Sequence, residues 1–182
     1  MKKLNIVLAF LFFYISASAQ EVDIGYRTTD VGAEFLNYKD GNFFGLHLGF
    51  NAKLHPSFHT SLGYYVAGDK TPPNYYNKSK GGLGVNLGYR YYVKPRPDGF
   101  FVGAKVNLFT NKVILTTQTP LGPYTSSILI PALQTGYMFL INDMFFITPS
   151  IEAGIKTNLQ QKINADKNKS VFLAGISCGF KI

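Results

Sequence analysis

The chain has 182 residues, with 18 Lys or Arg against 10 Asp or Glu for a formal net charge of +8, one cysteine and no tryptophan. A lone cysteine, Cys178, excludes an intramolecular disulfide framework, and the length suits one domain better than two. The basic balance alone is compatible with nucleic acid, but no basic helix or basic-aromatic run is present to make that contact, so no nucleic-acid partner is expected.

Lys2 and Lys3 precede an apolar run from Ile6 to Ile15, and Ala17-Ser18-Ala19 follows directly before Gln20. A charged start, a short apolar stretch and small residues read as a signal peptide over 1–19, with Gln20 as the mature N-terminus. The run is short of the roughly 20 residues a spanning helix needs. Loss of Lys2 and Lys3 takes the charge from +8 to +6, which suits attraction to anionic surface lipid. No second apolar span follows, so a membrane crossing by residues 20–182 has to be made by strands.

From Gln20 onward, eight strands are predicted from period-two alternation, each with a large apolar face. Strand one runs Val22, Ile24, Tyr26 and Thr28, and Val31, Ala33 and Phe35 could extend it. Strand two is Phe44 to Leu54, strand three Phe58 to Val66, and strand four is Leu83, Val85, Leu87, Tyr89, Tyr91 and Val93. Strand five is Phe100 to Leu108, strand six Leu129 to Ile141, strand seven Phe145 to Ile155 and strand eight Phe172 to Ile182. Pro131 and Pro149 each remove a ladder donor, so a bulge or a local register slip is expected at both. Tight turns are expected at 55–57, 95–99 and 142–144, and longer polar loops at 29–42, 68–80, 110–126 and 158–170. Short turns on one side and long loops on the other describe an outer-membrane barrel with both termini in the periplasm.

Alternation alone also fits a soluble lipocalin-like barrel, with its apolar face turned inward. Glycine separates the two. Twelve of the 18 glycines fall on the polar faces of these strands and none within an apolar face. A solvated strand surface gains nothing from glycine, whereas a narrow lumen needs bare positions so that Arg27, Arg90, Tyr92 and Lys105 can cross it. The predicted fold is an all-β, eight-stranded antiparallel up-and-down transmembrane barrel over 20–182.

With the leader ending Ser18-Ala19-Gln20, the glycine-alternating strands and the closing strand from Val171 to Ile182, the chain resembles the small eight-stranded outer-membrane barrels of the OmpA-transmembrane and OmpX-like group, in a style common among Bacteroidota proteins. The likeness is one of architecture over residues 20–182. It implies outer-membrane lipid and lipopolysaccharide as surroundings, barrel-insertion machinery as a partner, and a monomer. Such closing strands usually end in an aromatic residue; here Phe180 stands two before Ile182.

Candidate chemistry lies on the polar faces: Arg27, His47, Asn51, His59, Ser61, Arg90, Lys105, Asn107, Gln134, Glu152 and Lys156 point to the lumen. A turn at 55–57 sets Tyr65 opposite His47 and puts the two imidazoles roughly 20 Å apart, too far to share an ion. Ser61, His59 and Glu152 are the residue types of a serine hydrolase, and a lipid A-modifying enzyme is the alternative they raise. No phosphate loop or nucleophile elbow occurs, and no cofactor is expected. Buried charges need partners, so Glu152, the one deep acid of these strands, should meet Arg90, Lys105 or Arg27. Tyr75, Tyr76, Lys78 and Lys80 offer a surface contact for lipopolysaccharide phosphates, and His55 reads as a turn residue.

Overall fold

The computed structural model describes residues 28–39, 41–52, 54–68, 77–79, 81–95, 97–115, 124–159 and 168–182. The predicted signal peptide, the early part of strand one, Arg27, Tyr75, Tyr76 and Lys80 lie outside them, and Lys78 is described by its backbone alone. The strands are β1 Thr28–Tyr38, β2 Gly41–Asn51, β3 Pro56–Ala67, β4 Asn77–Ser79, β5 Gly82–Tyr92, β6 Gly99–Leu115, β7 Tyr124–Ile141, β8 Phe145–Asn158 and β9 Asn168–Lys181.

Each long strand pairs antiparallel with its chain neighbours, and β1 pairs with β9 from Asp30↔Lys181 to Tyr38↔Leu173, which closes eight strands into a barrel. Thr29 and Ile182 exchange both backbone hydrogen bonds at 2.8 Å, fixing the end of that seam. The short β4 adds only to the far end of β6, opposite Val113–Leu115. Closure leaves no open edge around the barrel wall.

The exterior is apolar. Leu46, Leu62, Leu83, Leu87, Leu133 and Phe172 are 60–78% exposed, on strands all round the barrel. Their inward neighbours are buried and largely polar: His47, Ser61, Asn86 and Lys105 are at most 2% exposed. This inverted exposure is the pattern of strands that cross a bilayer.

Three expectations are corrected. Strand one is Thr28–Tyr38, so most of the expected loop 29–42 is strand, and Tyr38 already pairs with Gly41 of β2. Odd positions Val31, Ala33 and Phe35 face outward, while Asp30, Glu34 and Leu36 face the lumen. Strands β6 and β7 also run on to Leu115 and from Tyr124, consuming much of the expected loop 110–126. Neither proline makes a bulge or a slip. The β7–β8 register is the same on both sides of each, with pairing merely skipped at Ile130–Pro131 and at Tyr137–Met138, opposite Pro149. A Cβ on Gly154 would abut the Pro131 carbonyl, and one on Gly136 the Pro149 carbonyl. Both prolines therefore turn their missing donors to this one seam.

Candidate functional site: the closed lumen

Glycine makes the space. A Cβ on Gly84 would stand 2.7 Å from Phe109 and 2.8 Å from Phe43, and one on Gly136 would stand 2.7 Å from Phe101. The bare positions admit aromatic rings at the two ends of the barrel more than they admit long cations. Leu36, Tyr38, Phe43, Tyr65, Phe109 and Ile130 form an apolar plug toward the loop end. Tyr92, Phe101, Met138 and Phe146 form a second at the end that holds Thr28 and Ile182. Beside this second plug, the Lys181 ammonium lies 3.3 Å from Asp30 Oδ1.

A charged cluster lies between the plugs. Lys105 Nζ donates to Glu34 Oε1 at 2.7 Å and to Glu152 Oε1 at 2.8 Å, with all three side chains at most 2% exposed. The outer oxygens are also occupied: Asn86 Nδ2 donates to Glu34 Oε2 at 3.1 Å and Asn107 Nδ2 to Glu152 Oε2 at 3.0 Å. One ammonium thus joins carboxylates from β1 and β8, and two amides use the remaining lone pairs, as a buried ionic group requires.

Of the predicted lumen cluster, Lys105 and Glu152 meet, Arg27 lies outside the described residues, and Arg90 does not join them. Arg90 stacks its guanidinium over the Phe101 ring at 4.8 Å, and Phe101 packs on Tyr92, whose hydroxyl approaches Met138 Sδ at 3.7 Å. Glu152 is not the one deep acid, since Glu34 and Asp30 are equally buried. Sequence reasoning missed both because it read 29–42 as a loop, with Val31, Ala33 and Phe35 only an optional extension of strand one. The signal was present in the alternation Asp30, Val31, Gly32, Ala33, Glu34, Phe35.

The histidines are also corrected. His47 and His59 are neighbours, with ring centroids 5.7 Å apart, because Asn51 pairs with Ser57 and His47 with Ser61. The expected turn at 55–57 is displaced toward the N-terminus, since Ala52 N donates to the Pro56 carbonyl and Pro56 opens β3. No trio of His, Cys, Asp or Glu among the described residues is grouped to hold an ion. Ser61 Oγ lies 3.3 Å from His47 Nδ1, His59 Nε2 faces Gln134 Nε2 at 3.4 Å, and Glu152 belongs to Lys105. Ser61, His59 and Glu152 therefore do not assemble as nucleophile, base and orienter, and Ser61 is sealed at 1% exposure. His55 sits in the turn, its Nδ1 2.7 Å from the Tyr92 carbonyl and its ring stacked on Tyr91.

No protein-family model matches the sequence, and no curated protein matches it. Solved structures do. The N-terminal β-barrel domain of Pseudomonas aeruginosa OprF superposes with a TM-score of 0.55 at 15% identity, covering 85% of this chain and 97% of that one. Ail, the attachment invasion locus protein of Yersinia pestis, gives 0.49 at 12%, covering 86% and 96%. Neisserial surface protein A gives 0.35 at 14%, covering 86% and 94%. With the first of these carrying the comparison, the closed wall, the apolar exterior and the plugged polar lumen have the fold of the small eight-stranded outer-membrane β-barrels.

Proposed function

We propose that the protein is an integral outer-membrane barrel, with its termini in the periplasm, whose role is structural or surface-interacting and not catalytic. The observation that carries this reading is the plugged lumen: among the described residues, Glu34, Lys105 and Glu152 satisfy one another between two apolar plugs, with their side chains sealed from solvent. An eight-stranded wall leaves room for side chains and no more. Lipocalin-like ligand binding needs an apolar cavity inside, and here the apolar face is outside. A lipid A-modifying enzyme needs a nucleophile open to the outer leaflet, and Ser61 is enclosed.

Tyr75, Tyr76, Lys78 and Lys80 are the proposed contact for lipopolysaccharide phosphates, on their residue chemistry alone. Cell fractionation followed by alkaline carbonate washing tests the location: the protein should stay with outer membranes, and its release into the wash would return the soluble-barrel reading. For the contact, Lys78→Glu with Lys80→Glu should weaken lipopolysaccharide binding without altering extraction, and unchanged binding would remove the loop from that role.

A further inference from the structure

The lipid-facing wall is not evenly covered. Between Tyr89 on β5 and Phe172 on β9, the intervening strands carry Ala104, Thr135 and Ala153, and these small side chains floor a groove of about 580 Å³ around Leu133. The Thr135 hydroxyl is already spent on the Phe101 carbonyl at 2.9 Å, so the floor is apolar. An unfilled gap in such a wall forfeits dispersion contacts along its whole lining, and within the bilayer the filler at hand is hydrocarbon.

The same β6–β7 seam continues toward the Ile182 end of the barrel into a second hollow of about 410 Å³, lined by Asp98, Gly99, Tyr137, Phe139, Ile141 and Ile147. It exists because β6 starts at Gly99, opposite Met138, while β7 runs on to Ile141. Its rim carries both signs of charge. Asp98 Oδ1 is buried with no hydrogen bond among the described residues, and the Lys181 ammonium lies nearby, donating to the Pro97 carbonyl at 3.3 Å. A Cβ on Gly99 would stand 3.7 Å from Lys94 Cδ and 4.0 Å from the Tyr137 hydroxyl, so exposed Lys94 and Tyr137 flank the same spot. An acid, an ammonium and a phenol at the membrane edge complement a group that is cationic at its tip and anionic one link deeper.

We propose that this face seats one phospholipid of the periplasmic leaflet with an ethanolamine-type headgroup, its ammonium on Asp98, its phosphate on Lys94 and Tyr137, and an acyl chain in the groove over Ala104, Thr135 and Ala153. The proposal rests on the barrel reading above for which end faces the periplasm. Thr135 lines the first hollow and Tyr137, the next outward residue of β7, lines the second, so the glycerol would lie between them.

Native mass spectrometry of the folded full chain in detergent, with added phosphatidylethanolamine, phosphatidylglycerol or phosphatidylcholine, tests it. One phosphatidylethanolamine should survive at activation energies that strip the other two. Ala153→Phe, which fills the groove, and Asp98→Asn, which removes the ammonium's partner, should each cut retention at least about fivefold. In Asp98→Asn the preference should move toward phosphatidylglycerol, since Lys94 remains. Equal retention of all three lipids, unchanged retention in Ala153→Phe, or a dimer in place of the lipid-bound monomer would overturn the proposal. The mobility difference between unheated and boiled samples on a gel checks folding; should Ala153→Phe lose it, Ala104→Leu takes its place. A wild-type chain that leaves membranes on carbonate washing would instead sink the barrel reading.

Discussion

Lys105 holds two buried carboxylates at once, which makes it more exposed to substitution than either partner. Breaking a buried ion pair by removing one member typically costs about 3–5 kcal/mol, because the other charge is left unpaired. Lys105→Gln should fall in that range or above it. Glu152→Gln keeps the Glu34 pair and should cost clearly less, and urea unfolding in detergent would compare the two. Equal losses would mean that Lys105 is not the hub of the cluster. Gly136 gives a second test: with the Pro149 carbonyl and the Phe101 ring both crowding an added Cβ, Gly136→Ala should cost about 1–3 kcal/mol by overpacking, and a neutral result would show that the wall can give there. The lumen's residue types were legible in the sequence from period two alone, and nine of the eleven predicted inward residues are buried. Their pairing was not, because partners depend on which of several lumen positions lie at the same height, and alternation carries no height.

On the scale of the strand, β5 was readable in full. Glycine and asparagine on one face and branched apolar residues on the other leave a single register that puts both where they are stable. Leu87 lies at the middle of β5 and Val93 just past its end, each about 60% exposed. Arginine on the lipid face costs about 2–4 kcal/mol at the midplane and about 0–1 near the interface. Leu87→Arg should therefore destabilise the barrel well beyond Val93→Arg, and similar penalties would misplace the membrane. The β2–β3 hairpin shows where such reading fails. Pro56 marks a turn by composition, yet it is the first residue of a strand, a place where a missing donor costs little. Moving the turn centre by two residues slides the whole pairing, which is how His47 and His59 come to 5.7 Å from an expected 20 Å. In β1, Gly32 between two acids has the composition of a loop, and only pairing to both β2 and β9 makes it strand.

For the whole molecule, the two apolar plugs predict electrical silence. Planar bilayers containing the folded protein should show no conductance steps above those of protein-free controls, and a steady open channel would refute the sealed lumen. The closed barrel could be expected from the sequence because lumen glycine and lipid-facing bulk are distributed over every strand. The closing seam could not, since most of Thr28–Tyr38 was read as a loop. That seam gives the charged cluster a further consequence. Glu34 arrives on β1 while Lys105 and Glu152 come from β6 and β8, and the Glu34–Lys105 contact spans 71 residues. A sheet still open between β1 and β9 can already join Lys105 to Glu152, but Glu34 reaches them only when the ring is complete, with the right number of strands and no slip at the seam. The interior therefore proofreads its own assembly: a miscounted or misaligned circle carries a stranded charge, and only the correct one is rewarded with a complete core.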